Sequence, residues 1–153
     1  MTSTSASYPT AVRHREWYRL DNAGKLYPAI TTSKWNSVFR VSIILRNEIN
    51  PQTLQEALDS VFPRFPILQT QLCTGLFWYY LEKNPKRLLI QEDEGGPCEY
   101  IPWQEKNMHL LRVSYLDRRI SIDFFHAITD GAGSMVFLKT LVAEYLRLSG
   151  TDV

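Results

Sequence analysis

Phe124–Leu146, FFHAITDGAGSMVFLKTLVAEYL, is the stretch from which the rest of this 153-residue chain is best read. Just before and into it, Ile120, Ile122 and Phe124 alternate with Ser121, Asp123 and Phe125. That is the period of a half-buried strand ending near His126. Beyond Gly133, the residues Met135, Leu138, Leu141, Val142 and Tyr145 share one face of a helix, while Thr140, Glu144 and Arg147 fall on another. His126 thus stands at the C-terminal end of a strand, just ahead of a helix N-terminus. Strand ends in α/β layers are common ligand sites. The partial positive charge of a helix N-terminus disfavours an imidazolium, and an uncharged imidazole is what a general base requires. Gly131 and Gly133 leave the backbone bare enough for a ligand to pass close by. The same residues also have a purely structural reading, with Asp130 as N-cap, the glycines serving the turn, and His126 as a polar strand terminus. A metal site has little support, because three histidines and two cysteines form no cluster with ligand spacing.

Working outward, Leu110–Leu116 and Ile120–His126 read as a hairpin over Asp117-Arg118. Ser37–Leu45 is the clearest remaining strand, and its mixed apolarity suggests an interior position with one face under helices. Asn50-Pro51 opens a helix, Asn as cap and Pro at the first position. Leu54, Leu58, Val61 and Phe62 form its apolar stripe, and Pro63 ends it. Gln69–Leu76 and the β-prone run Phe77–Leu81 are extended, with Leu88–Gln91 pairing back across the Asn84-Pro85 turn as a hairpin. Glu92–Pro97 reads as a solvated acidic loop. Glu16–Leu20 is a short strand followed by a turn through Asn22 and Gly24. The aromatic run Trp78, Tyr79 and Tyr80 reads as core and edge cover rather than a stacking site. His14 and His109 have no partner in sequence, and Arg112 lies where it could neutralise Asp123 or Asp130.

Composition sets outer limits. A formal net charge of +1 carries no nucleic-acid footprint. Cys73 and Cys98 are too few for a disulfide framework and read as reduced cytoplasmic thiols. No apolar run suffices for a transmembrane segment, and the Ser/Thr-rich opening, residues 1–15, lacks a signal core and reads as a flexible tail. No repeat appears, so residues 16–150 form one domain.

His126, Asp130 and Gly131 make an HxxxDG pattern. In its setting, after a strand and before a long helix, it resembles the active-site motif of the CoA-dependent acyltransferase superfamily, which includes chloramphenicol acetyltransferases, condensation domains and alcohol acetyltransferases. The opening EWYRLDNAGKLYPAI (Glu16–Ile30) is similar to the start of alcohol acetyltransferase-like proteins. The unit Phe39–Phe62 with PRFPIL (Pro63–Leu68) resembles the family's first crossover. The resemblance implies an α/β fold, a two-layer mixed β-sheet with helices packed on one face, corresponding to a single chloramphenicol acetyltransferase-like lobe. Family enzymes have two such lobes, so the chain corresponds to the N-terminal lobe, a piece of a longer protein or a natural single lobe, with the C-terminal lobe or a partner lobe completing the tunnel.

The implied activity is acyl transfer from acyl-CoA, as co-substrate rather than bound cofactor, to a small alcohol. His126 would be the catalytic general base, and Asp130 and Gly131 structural members of the motif. Asp130 in relatives pairs with an arginine; the matching position here is Gln69, leaving Arg64, Arg112 or the other lobe to substitute. A second histidine common before the motif histidine is replaced by Phe125. Two alternatives remain, a condensation-type domain acting on carrier-bound substrates and a non-catalytic binding or assembly module. The lone lobe is expected to have little activity, to expose an apolar face and to self-associate.

Overall fold

A computed structural model of the chain describes residues 17–20, 24–32 and 36–150. The expected tail, His14 and the Asn22 portion of the first turn lie outside these residues.

Two antiparallel neighbours, β6 (Leu111–Leu116) and β7 (Arg119–Phe125), form the hairpin expected over Asp117-Arg118, and Asp117 adopts a positive φ of 49° at its tip. β2 (Val38–Ile44) pairs along the other side of β7, with Phe39 opposite Phe124 and Arg40 opposite Asp123. β5 (Gln91–Glu92) adds parallel to β6. The resulting order β2-β7-β6-β5 makes a mixed four-stranded sheet. A second, antiparallel sheet has the order β1-β4-β3, from β1 (Trp17–Arg19), β3 (Thr70–Thr74) and β4 (Tyr79–Lys83).

The helices are α1 (Leu26–Ile30), α2 (Pro51–Val61) and α3 (Gly131–Leu148). α2 starts as its sequence dictates: the Asn50 side chain accepts from Thr53 N–H at 3.0 Å and Pro51 fills the first position. Leu54, Ala57, Leu58 and Val61 are buried along its inner face. Pro63 ends the regular helix by tightening the chain into a 3₁₀ turn, Phe62–Arg64. α3 packs beside α2, and its Tyr145 hydroxyl accepts from Asn50 N–H at 3.0 Å. Phe137 of α3 meets Phe124 edge-on at 6.1 Å. The helices therefore cover the sheet face that carries Phe39, Ile122 and Phe124.

The opposite face explains several departures from the sequence reading. β7 is buried on both faces, not half-buried: Ser121 and Asp123 are as fully enclosed as Ile120, Ile122 and Phe124. The segment from Asp93 to Trp103 folds over the polar face; Cys98 N–H donates to Asp123 and Trp103 lies over Phe125 at 6.4 Å. The Glu92–Pro97 loop is thus no purely solvated run, since the Asp93 side chain is only 3% exposed. β2, expected inside the sheet, stands at the end of the strand order among the described residues, with Arg40 and Ser42 of its polar side bonded to Asp123 and Ser121 of β7. Leu88–Gln91 does not pair back on β4. Gln55 of α2 donates to Leu88 O and accepts from Ile90 N–H, holding this segment against the helix, and the chain goes on to join β6 in parallel. On α3 the buried face is Ser134, Phe137, Leu138, Leu141, Val142 and Tyr145, which leaves Met135 40% exposed. Of the aromatic run, Tyr79 packs edge-on to Trp103 at 5.6 Å as cover, but Trp78 stays 59% exposed. No described helix is long and apolar enough to cross a membrane.

Candidate active site

β7 positions His126. The two residues before it are fully buried on opposite faces, Phe124 against Phe39 at 5.6 Å and Phe125 against Trp103. Anchored on both sides, the strand end cannot slip without withdrawing a ring from the core. His126 N–H extends the ladder one step by donating to Ser37 O at 2.8 Å. The residue as a whole is half-buried. It stacks on Tyr27 of α1 at 4.7 Å and 16°, and tilts against Phe39 at 4.8 Å and 51°. These two rings set the plane of the imidazole while leaving it partly open.

The chain then turns. Ile128 N–H donates to Phe125 O at 3.2 Å, and the buried Ile128 side chain pins the turn. Asp130 is the N-cap of α3: its Oδ1 accepts from Gly133 N–H at 2.8 Å and its carbonyl from Ser134 N–H at 3.0 Å. Gly133 lies close to Thr129: a Cβ there would come within 2.3 Å of Thr129 Oγ1, and the threonine side chain would have to rotate to admit it. At Gly131 a Cβ would meet nothing within 4 Å, so the backbone lies bare to its surroundings. One turn therefore brings His126, Asp130 and Gly131 together at the strand–helix junction.

Among the described residues no ion pair joins Asp130 to an arginine, and the expected partner from another lobe is left untested. Asp130 is exposed and engaged in capping. Gln69 donates to Phe62 O at 3.1 Å, and Arg112 turns to Glu99 at 3.3 Å although its Cα lies opposite Asp123. The buried ion pair belongs instead to Arg40, which sequence reasoning passed over. Its Nε and Nη2 donate to the two Asp123 oxygens at 2.8 and 2.7 Å, and Nη1 donates to Asp93 Oδ2 at 2.9 Å. Arg119 adds a second cation to Asp93 at 3.1 Å. The Asp123 hydrogen bond, followed by the charges of both aspartates and opposed by burial, holds the Arg40 guanidinium protonated well beyond the ordinary arginine range. The signal in the sequence was two opposite charges, Arg40 and Asp123, each in mid-strand among apolar neighbours.

His109, given no role from sequence, is half-buried and edge-on to Phe62 at 6.0 Å, with both ring nitrogens enclosed. Desolvation pushes its pKa below the ordinary histidine value. Two clefts stand out among the described residues. One of about 380 Å³ lies against Trp78, and one of about 410 Å³ lies between Lys86–Gln91 and Ile101–Arg112. His126 is not among the described linings of either. Among the described residues no group of three or more His, Cys, Asp or Glu side chains could hold a metal.

No protein-family model matches the sequence, and no curated protein matches it. Solved structures do. Polyketide synthase associated protein 5 from Mycobacterium tuberculosis superposes with a TM-score of 0.60 at 16% identity, over 95% of this chain and 35% of that one. The starter condensation domain of rhizomide synthetase gives 0.65 at 14% identity, over 90% and 39%. A mutant of that domain, solved in complex with C8-CoA, gives 0.66 at 16%, over 88% and 37%. The chain thus spans little more than a third of the length of the structures it matches. At these identities the likeness establishes the fold: a mixed α/β lobe of the condensation-domain, chloramphenicol acetyltransferase-like kind.

Proposed function

We propose that this chain supplies the N-terminal half of an acyltransferase active site, with His126 as its general base. The observation that carries the reading is the half-buried His126 at the strand–helix junction, its ring plane held by Tyr27 and Phe39. In the proposed step a ring nitrogen takes the proton of an acceptor hydroxyl as its oxygen attacks the carbonyl of an acyl-CoA thioester. The C–O bond forms, the C–S bond breaks, and the thiolate recovers the proton from the imidazolium. Asp130 and Gly131 serve by shape, Asp130 capping α3 and Gly131 leaving room beside the backbone.

The surroundings of His126 support a seam with a second lobe. α1, which carries Tyr27, exposes Leu26 (57%) and Ile30 (52%), and the first turns of α3 expose Met135 and Val136 (57%). Apolar side chains standing in water on both elements beside the histidine fit a surface that another lobe covers. A C-terminal or partner lobe would close the site, and the lone chain would self-associate with little activity.

A second reading has its own support: two of the solved structures above are starter condensation domains, and an epimerization domain of tyrocidine synthetase B also matches, with a TM-score of 0.66. On that reading the donor is carrier-bound and the acceptor an amine. When the chain is assayed with a lobe that completes the fold, acyl-CoA with small alcohols gives turnover on the first reading. Turnover only with acyl-carrier protein and amines selects the second. His126→Ala lowers the rate by about 10²-fold or more on either, and a near-normal rate would remove His126 from the chemistry.

A further inference from the structure

One polar group beside His126 has no task in the proposed step. α1 lays the Tyr27 ring on the imidazole, with centroids 4.7 Å apart and planes 16° from parallel. The end of this helix is tied to the catalytic strand. Thr31 N–H donates to Tyr27 O at 3.0 Å, and the buried Thr31 hydroxyl donates to Ser37 Oγ at 3.0 Å. Ser37 O in turn accepts from His126 N–H at 2.8 Å. Ser37 therefore anchors both members of the ring pair, and the stack holds the phenol hydroxyl in a plane next to that of the imidazole. The other hydroxyls at the junction are engaged: Thr31 with Ser37, Thr129 with Asp130 O at 3.4 Å, and Ser134 with Gly131 O at 2.8 Å. Among the described residues none bonds to the Tyr27 hydroxyl or to either ring nitrogen of His126, and none of these three atoms is sealed in as the ring nitrogens of His109 are. Both polar groups are left for an incoming molecule.

We propose that the Tyr27 hydroxyl is a second catalytic group of this site, the donor that steadies the oxyanion of acyl transfer; the assignment rests on the acyl-transfer reading. As the acceptor oxygen attacks the thioester carbon, His126 takes the acceptor proton and the C=O π pair moves onto the carbonyl oxygen. The Tyr27 O–H donates a hydrogen bond to that oxygen and keeps its own proton. When the pair returns to re-form C=O, the C–S bond breaks and the thiolate recovers the proton from the imidazolium. A hydrogen bond to an oxygen strengthens as that oxygen becomes an anion. It therefore favours the transition state over the bound thioester. The stack holds the phenol in place before substrate arrives, so little reorganisation accompanies the growth of charge.

The test is Tyr27→Phe, which keeps the stacked ring and removes only the hydroxyl. It is assayed beside a lobe that completes the fold, with whichever donor and acceptor pair above gives turnover. kcat is expected to fall by about 10²-fold or more with KM nearly unchanged. The His126 ring-proton NMR signals, assigned by their loss in His126→Gln, keep their positions in Tyr27→Phe. They move in Tyr27→Leu, which removes the ring current of the stack. A near-normal kcat in Tyr27→Phe, beside the loss in His126→Ala, overturns this proposal and leaves the base in place. A rise in KM at unchanged kcat overturns it in favour of acceptor binding. His126 signals that move in Tyr27→Phe overturn it in favour of a packing role. No turnover by the unmutated chain with either pair overturns it together with the reading on which it rests.

Discussion

Arg40→Ala removes the cation at the centre of the sheet's polar face. Asp123 is fully buried and the Asp93 side chain is 3% exposed. Arg40, itself 12% exposed, donates to both Asp123 oxygens and to both Asp93 oxygens, the longest of these bonds being 3.3 Å. Among the described residues, Asp93 then retains the half-exposed Arg119 at 3.1 Å and Asp123 only Cys98 N–H at 3.2 Å. Breaking a buried pair from one side costs about 3–5 kcal/mol, chiefly because Asp123 stays buried without a counter-charge. Against a total stability of about 5–15 kcal/mol this is a large fraction. At about 2–4 °C per kcal/mol for a chain of this size, the melting temperature falls by roughly 6–20 °C. Urea unfolding of Arg40→Ala, Asp123→Asn and the double variant closes a cycle. The single losses are expected to overlap, so that the double variant is far less damaged than their sum. A loss below about 1 kcal/mol for Arg40→Ala, or strict additivity with Asp123→Asn, would refute the argument that burial makes this pair costly to break.

Three further outcomes follow from the junction and from His109. Asp130→Ala costs about 1 kcal/mol of stability by leaving Gly133 N–H uncapped, whereas Asp130→Asn, which caps equally well, stays within a few tenths by thermal melting. Gly133→Ala makes the half-buried Thr129 hydroxyl rotate away, at the loss of a long 3.4 Å bond to Asp130 O, so the cost by thermal melting stays within about 1 kcal/mol. In a Thr129→Ala background the sign reverses, because alanine is the better helix residue by up to about 1 kcal/mol. Burial lowers the His109 pKa; the Lys86 and Arg87 carbonyls oppose this without closing hydrogen bonds. The unfolded chain therefore takes up this proton more readily than the folded one. Stability from this group is complete above the ordinary histidine value, about 6.5, and declines as pH falls below it. His109→Phe flattens that acid limb in denaturant titrations run at stepped pH.

The local grammar was legible along the chain. The β6–β7 hairpin, the Asn50-Pro51 start of α2 and the Asp130 start of α3 depend on residues within a few positions of one another. Alternation, caps and glycines encode such features directly. The placement of His126 at a strand–helix junction follows from the same short-range rules. The partner of Asp123 was not legible, because Arg40 is 83 residues away, and Asp93, which shares it, lies 53 residues from Arg40. Only the β2–β7 register brings the first pair face to face. The parallel arrival of β5 depends likewise on Gln55, a side chain of a helix more than 30 residues earlier.

The sequence by itself determined the elements and the junction that holds His126, since those rest on the backbone preferences and hydrogen bonds of near neighbours. Tertiary structure decided which charges are buried together, that the Asp93–Trp103 segment seals the second face of β7, and that Leu76–Trp78 remains in water. Those outcomes depend on which distant surfaces exclude solvent from one another, and that becomes defined only when the sheets and helices have packed.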